Sequence, residues 1–296
     1  MAVAARGGHA LRVYLEMIKF EHSIFALPFA MIGMMWGSRY DTGSPWPGWR
    51  VFGLIILAMV SVRSAAMAYN RIADRDIDAL NPRTKARAIP AGLLQLKQVN
   101  LFFFASCAIF LVAAGCLNRL TLILSPLALA VLIFYSHTKR FTPFCHFVLG
   151  LSMGIAPVAA WIATTGRLDW VVGFVTAGVL FWGAGFDIIY ALQDEQFDRD
   201  HGLRSLPQTL GVAKALGVSR VCHVLAAISL TVSGFLVHAG PVYFAGCVFA
   251  ACLLTYEQSL VKPNDLSRVN MAFFTLNGFV SLGLFVFALV DQLVRH

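Results

Sequence analysis

The sequence predicts an all-α polytopic membrane protein with nine transmembrane helices, organised as two four-helix repeats plus one further helix. Composition is the first reason. Hydrophobic residues make up 58% of the 296 and charged residues only 13%, at a mean hydropathy of +0.73, a balance soluble domains do not normally have. The second reason is that the apolar runs are continuous and near the roughly 20 residues needed to cross a hydrocarbon core. Strands of a membrane barrel would alternate instead. The third is an acidic motif that occurs twice, each time where an apolar run ends.

Taken in order, Leu11, Tyr14, Leu15 and Ile18 fall at i, i+3, i+4 and i+7, the pattern of an amphipathic helix on a membrane surface. The expected spans follow at 22–39, 51–70, 99–117, 119–136, 144–164, 169–190, 220–239, 241–257 and 270–291. The first long apolar run begins only after Lys19, Glu21 and His22, so no cleaved signal peptide is expected. No linker or low-complexity stretch divides the chain, and residues 1–296 read as a single membrane domain. The six cysteines form no CxxC and read as small apolar packing residues.

A net charge of +8 in a soluble protein would point toward nucleic acid. Here the cations sit in loops between apolar spans, so no nucleic-acid role is expected. With a cytoplasmic N-terminus, the cytoplasmic segments hold 17 Lys and Arg against five on the other side, with Arg63 inside a span. That bias sets the orientation. It places both acidic motifs at the cytoplasmic face, of a bacterial inner membrane on this reading.

The first motif is Asn70, Asp74 and Asp78, at i, i+4 and i+8, within an arc of roughly 80° on a helix. Arg63 stands two turns earlier on the same face. A basic loop follows with Arg83, Lys85 and Arg87, closed by Pro90 and Gly92. The second copy is Asp187, Tyr190, Asp194 and Asp198, then Arg199, Arg204, Pro207 and Gly211. Tyr190, Asp194 and Asp198 each lie 120 positions after Asn70, Asp74 and Asp78, so the chain is read as an internal repeat. The motif helices are the second and sixth spans and run the same way, which makes the repeat parallel about an axis along the membrane normal. On a straight helix Asp187, Asp194 and Asp198 share one face.

Paired acids at span ends are costly unless they bind something. Hard oxygen donors with cations just beyond suit Mg²⁺ holding a polyanion. Asn70, Asp74, Asp78, Asp187, Asp194 and Asp198 are the candidate ligands. Arg83, Arg87 and Lys139, four residues after Tyr135, are the candidate anion-binding cations, and Arg204 and Tyr190 are placed with them. Arg63 would cost roughly 2.5–3.5 kcal/mol at a helix centre on insertion scales, so it is expected to face a cavity or a carboxylate. Asp76, Glu195 and Asp200 read as solvated ends, and Asn270, Asn277 and Ser281 as interhelical hydrogen-bonding groups. His22, His137, His146, His223 and His238 show no paired spacing and receive no metal role. A cation-coupled transporter is the competing class, although transporters place such sites near the midplane rather than at the rim.

Together Asn70-x3-Asp74-x3-Asp78, Asp187-x2-Tyr190-x3-Asp194-x3-Asp198 and Tyr135-x3-Lys139 resemble the UbiA superfamily of intramembrane aromatic prenyltransferases, over nearly the whole chain. The resemblance implies a ring-like helix bundle and a polyprenyl diphosphate donor. It also implies Mg²⁺ between the acidic motifs and a lateral opening to membrane lipid for the isoprenoid tail. It gives Asp74, Asp78, Asp194, Asp198 and Lys139 catalytic roles and leaves Arg63 for the carboxylate of a small aromatic acid. The segments FDIIYALQDEQFDRDHGLRSLP and KFEHSIFALPFA look most like 4-hydroxybenzoate polyprenyltransferases of quinone biosynthesis. Arg71, directly after the motif asparagine, looks instead like menaquinone-route relatives that act on a dihydroxynaphthoate.

Overall fold

A computed structural model describes residues 12–18 and 23–295, and in it the apolar runs become helices whose ends fall where the sequence supplies caps. The helices are α1 (12–17), α2 (Ser23–Thr42), α3 (Trp49–Leu80), α4 (Leu96–Leu117), α5 (Arg119–Thr138) and α6 (Cys145–Thr165). Then come α7 (Gly173–Ala191), α8 (Glu195–Asp200), α9 (Leu206–Leu210), α10 (Val212–Leu236), α11 (Pro241–Leu260) and α12 (Asn277–Val294). Gln95 and Gln98 form a reciprocal capping box at the start of α4. Asn118 caps α5 by accepting from the Thr121 amide, while its own Nδ2 donates to the Ile162 carbonyl at 2.8 Å. That second bond ties the start of α5 to the end of α6, which Gly166 terminates at φ 66°.

Among the described residues seven helical segments are long and apolar enough to cross a membrane, so the expected count of nine spans is not met on that measure. The two expected spans left out are α2 and α11, each 20 residues long. They have the length but not the apolarity. Ser38, Arg39 and Asp41 dilute α2, and Glu257 and Gln258 dilute α11. Both helices pack among the others rather than standing apart.

Neighbouring helices close a ring. Each of α3 to α7 packs on the next, α7 packs on α10, α10 on α11, α11 on α12, and α12 on α2, which also touches α3. The pairs α3·α4 and α4·α5 of the first half are matched by α7·α10 and α10·α11 of the second, with α2 crossing α6 at the seam. That is the four-plus-four-plus-one order expected from the repeat. Glycines set the closest approaches. A Cβ on Gly33 would lie 2.2 Å from the Pro157 carbonyl oxygen, and one on Gly150 would lie 2.1 Å from that of Leu180. Small residues let helix backbones meet where lipid supplies no hydrophobic drive. The outer surface keeps large apolar side chains exposed, among them Leu101, Phe104, Leu127, Val224 and Phe279, as a lipid-facing surface requires.

Two local expectations need correction. The short N-terminal helix turns differently from the predicted stripe: Val13, Met17 and Ile18 are buried against α3 and α4, Tyr14 packs beside them, and Leu15 stays 40% exposed. Leu11 lies outside the described residues, as do Lys19, Glu21, His22 and the start of KFEHSIFALPFA. The second motif does not ride one straight helix either. Whereas α3 continues unbroken for 32 residues through Asp78, α7 stops at Ala191, a tight turn spans Leu192–Asp194, and α8 starts at Glu195. At Asp194 the backbone has φ −104° and ψ 3°, off the helical values, so the acids of the second motif are carried on a helix interrupted by a tight turn rather than on a straight one.

Candidate active site

The unbroken α3 carries the first set of acids into a buried, fully partnered position. Asp74 and Asp78 are each only 3% exposed, and charges that deep must be paired and hydrogen-bonded. Asp78 accepts two bonds from Arg87 Nη1, at 2.7 and 2.8 Å, across the basic loop. Arg71 Nη1 stands 3.8 Å from the same carboxylate. Asp74 accepts from Asn70 Nδ2 at 3.1 Å and from Arg140 Nη2 at 3.0 Å, with Lys139 Nζ 3.5 Å away. Lys139 and Arg140 follow the last turn of α5, so that helix and α3 meet at this carboxylate.

The second set lies where the break after α7 turns it. Asp194 takes Arg83 Nε at 3.0 Å, Arg83 Nη2 at 2.5 Å and Asn81 Nδ2 at 3.1 Å. Arg83 Nη1 also donates to the Tyr190 hydroxyl at 2.9 Å and lies over the Tyr190 ring. Burial acts to lower the Arg83 pKa, but the hydrogen bond and charge of Asp194 outweigh it and hold the guanidinium above its ordinary value. Asp187 turns the other way, to His146 Nδ1 at 2.7 Å. Asp198 is buried beside Ser205, within electrostatic reach of Lys139, Asp194 and His146. Tyr135 feels both Asp74 and Asp187. The two motifs therefore converge, and residues of one half hold the acids of the other.

Not every candidate joins them. Arg204 donates to the Phe141 carbonyl at 3.1 Å, and its amide to the Lys139 carbonyl at 2.7 Å. It lines a shallow recess of about 420 Å³ with Pro143 and Gln208, so it braces the rim rather than reaching a carboxylate. Lys85 is exposed. Arg63 sits two turns before Asn70 on α3, and its buried Nε has no hydrogen-bond partner among the described residues. Three contacts escaped the sequence reading. Arg140 had been counted only toward topology, Asn81 follows directly on the end of α3, and His146 was set aside for want of a paired histidine. Adjacency to Lys139 is the signal that could have found Arg140.

Among the described residues no three Asp, Glu, His or Cys side chains stand together as a ready-made metal cage. Mg²⁺ does not require one, since it takes one or two carboxylates and fills its shell with water and substrate phosphate. Hard carboxylate oxygens with cations beside them fit that ion.

Residues 26–282, most of the chain, match the UbiA prenyltransferase family. The chain belongs to that family. It is an integral membrane prenyltransferase, and the transporter reading falls away. Among its curated relatives, the 4-hydroxybenzoate octaprenyltransferase of Nitrosomonas europaea is 28% identical, with 96% of each chain covered. Among solved structures, the apo UbiA homolog from Aeropyrum pernix K1 superposes with a TM-score of 0.82 at 34% identity, over 92% of this chain and 98% of that one. The UbiA homolog from Archaeoglobus fulgidus bound to DMAPP and Mg²⁺ reaches a TM-score of 0.69 at 18% identity, over 95% of this chain and 99% of that one, a likeness of fold. In this UbiA-family chain the two acidic motifs converge on one cluster of carboxylates and cations.

Proposed function

We propose that this prenyltransferase moves a polyprenyl group from polyprenyl diphosphate to 4-hydroxybenzoate in quinone biosynthesis, at the cytoplasmic face of a bacterial inner membrane. The observation that supports the reading is the interlock of the two halves: Arg83 of the first basic loop grips Asp194 and Tyr190 of the second motif. A site built that way presents carboxylates and cations to one polyanion. The curated relatives named for the octaprenyl reaction on 4-hydroxybenzoate support the acceptor.

Asp74, Asp78, Asp194 and Asp198, with Asn70 and Asp187, would hold Mg²⁺. When bound, that ion offsets charge on the diphosphate oxygens. Arg83, Arg87 and Lys139 bind the same diphosphate: each now rests on a motif carboxylate and exchanges that partner for phosphate oxygens when substrate arrives. Such fixed cations stabilise the charge that grows as the allylic C–O bond breaks and its electron pair leaves with the diphosphate. A dry, apolar surround keeps water from the allylic carbon. The ring carbon ortho to the acceptor hydroxyl forms the new C–C bond, and the ring then loses its proton. Arg63, roughly 10 Å deeper on α3 by helical rise, receives the acceptor carboxylate, which would give its buried Nε the partner it lacks among the described residues.

The second acceptor reading, a dihydroxynaphthoate, rests on Arg71. That side chain is 6% exposed and donates to the Met17 carbonyl at 3.4 Å, so it anchors α1 beside Asp78. Membranes containing the protein, given labelled prenyl diphosphate with Mg²⁺ and each acceptor in turn, separate the two. Label on 4-hydroxybenzoate is expected. Label on a dihydroxynaphthoate alone replaces the acceptor, and label on neither overturns the reading.

A further inference from the structure

His146 is a buried imidazole with both nitrogens committed. It is the second residue of α6 and only 2% exposed. Its Nδ1 lies 2.7 Å from Asp187 Oδ2, and its Nε2 lies 3.3 Å from the backbone nitrogen of Leu206. A backbone amide can only donate. Nε2 must therefore be the bare, accepting nitrogen, and the proton of a neutral ring sits on Nδ1, from which it is donated to Asp187. An imidazolium would set an N–H against the Leu206 N–H. The contact thus fixes one tautomer in one orientation.

The partner segment is itself held in place. Arg204 donates its amide to the Lys139 carbonyl at 2.7 Å, Cys145 Sγ lies 3.7 Å from the Arg204 carbonyl, and Ser205 stands beside Asp198. His146 therefore bridges two acids of the second motif, touching Asp187 directly and reaching Asp198 through the Ser205–Leu206 segment. On an unbroken helix the backbone would fix Asp187 relative to Asp198, whereas here a tight turn at Leu192–Asp194 intervenes.

We propose that His146 is a positioning residue for the diphosphate–metal site. Through its Nδ1–H it holds the Asp187 carboxylate in its ligating rotamer, and through the contact of Nε2 with Leu206 it sets the spacing between Asp187 and Asp198. This rests on the reading of Asp187 as a metal ligand. Groups that orient a ligand in this way typically matter 10–100-fold in metal affinity or activity.

The test uses the full-length protein in detergent or nanodiscs and Mn²⁺ as the probe, followed by electron paramagnetic resonance without substrate. His146→Phe keeps a ring but removes both hydrogen bonds, and Mn²⁺ binding is expected to weaken about 10–100-fold. His146→Gln can still donate to Asp187 and accept from Leu206, and is expected to recover most of that loss. A folded His146→Phe that binds Mn²⁺ like the parent overturns the proposal, as does a folded Gln variant no better than Phe. Should both variants misfold, nitrogen-15 NMR of labelled histidine in the parent decides. A protonated Nδ1 supports the assignment, and a bare Nδ1 overturns it. Asp187→Asn separates the two readings: if it leaves Mn²⁺ affinity unchanged, Asp187 is no ligand, while the tautomer measurement still judges His146.

Discussion

Arg83 and Asp194 join the two halves of the protein: Arg83 Nε lies 3.0 Å from Asp194 Oδ1, across 111 residues of sequence. Arg83 belongs to the loop after α3 and Asp194 to the turn after α7, so this contact sets how closely the repeats approach at the rim. The same guanidinium holds the Tyr190 hydroxyl. Charge-assisted, fork-shaped contacts are the strong kind. Arg83→Ala is expected to raise the KM for prenyl diphosphate about 10-fold or more, from a loss of roughly 1.5–3 kcal/mol for hydrogen bonds to a charged group. Arg83→Lys should recover only part of it, because an ammonium cannot reproduce the planar fork. Steady-state kinetics with donor as the varied substrate check both.

Asp194→Asn keeps the size of the side chain and removes its charge. Mg²⁺-dependent prenyl transfer should fall below detection while the protein remains folded and membrane-inserted. A turnover assay on purified protein, paired with a thermal unfolding curve, reads the two separately, and parental turnover would remove Asp194 from the metal site.

Lys139 Nζ stands 3.5 Å from Asp74 and the side chain is partly exposed, so it can leave that carboxylate for an incoming phosphate. Lys139→Ala should raise the donor KM or lower kcat while leaving the acceptor KM unchanged. Varying each substrate against saturating levels of the other tests this, and parental values of both would exclude the residue.

Arg63 should behave in the opposite sense in stability and in binding. Its buried Nε has no partner among the described residues, and an arginine inside a span costs roughly 2.5–3.5 kcal/mol on insertion scales. Arg63→Met is therefore expected to leave the melting temperature equal to or above that of the parent. The same change should raise the KM for the aromatic acid and leave the donor KM unaffected. A drop in stability with unchanged acceptor KM would make Arg63 a structural residue.

Gly150 tests the packing of α6 on α7. A Cβ there would sit 2.1 Å from the Leu180 carbonyl oxygen and 3.0 Å from the Ala184 backbone nitrogen, both rigid backbone atoms. Gly150→Val must force α6 and α7 apart, at a cost of about 1–3 kcal/mol typical of overpacking. Thermal unfolding in detergent should show the loss, and an unchanged midpoint would mean that the helices are not packed this closely.

The sequence by itself determined the helical membrane class and the spacing of the twice-occurring acidic motif, because those properties are local. Apolar run length and composition report the spans, and the spacing of Asn70, Asp74 and Asp78 reports a helix face as long as the helix runs straight. On α3 it does, through Leu80. What escaped depended on contacts between distant segments. The turn at Leu192–Asp194 interrupts the helix that carries the second motif, and no spacing rule reveals a break that the packing around α7 permits. Only the tertiary structure brings Arg83 onto Asp194, sends Arg204 to the Phe141 carbonyl instead, and sets His146 between Asp187 and Leu206. A charged side chain's partner is chosen by three-dimensional proximity, since a buried charge must take whichever opposite group the fold delivers, and linear order does not carry that information.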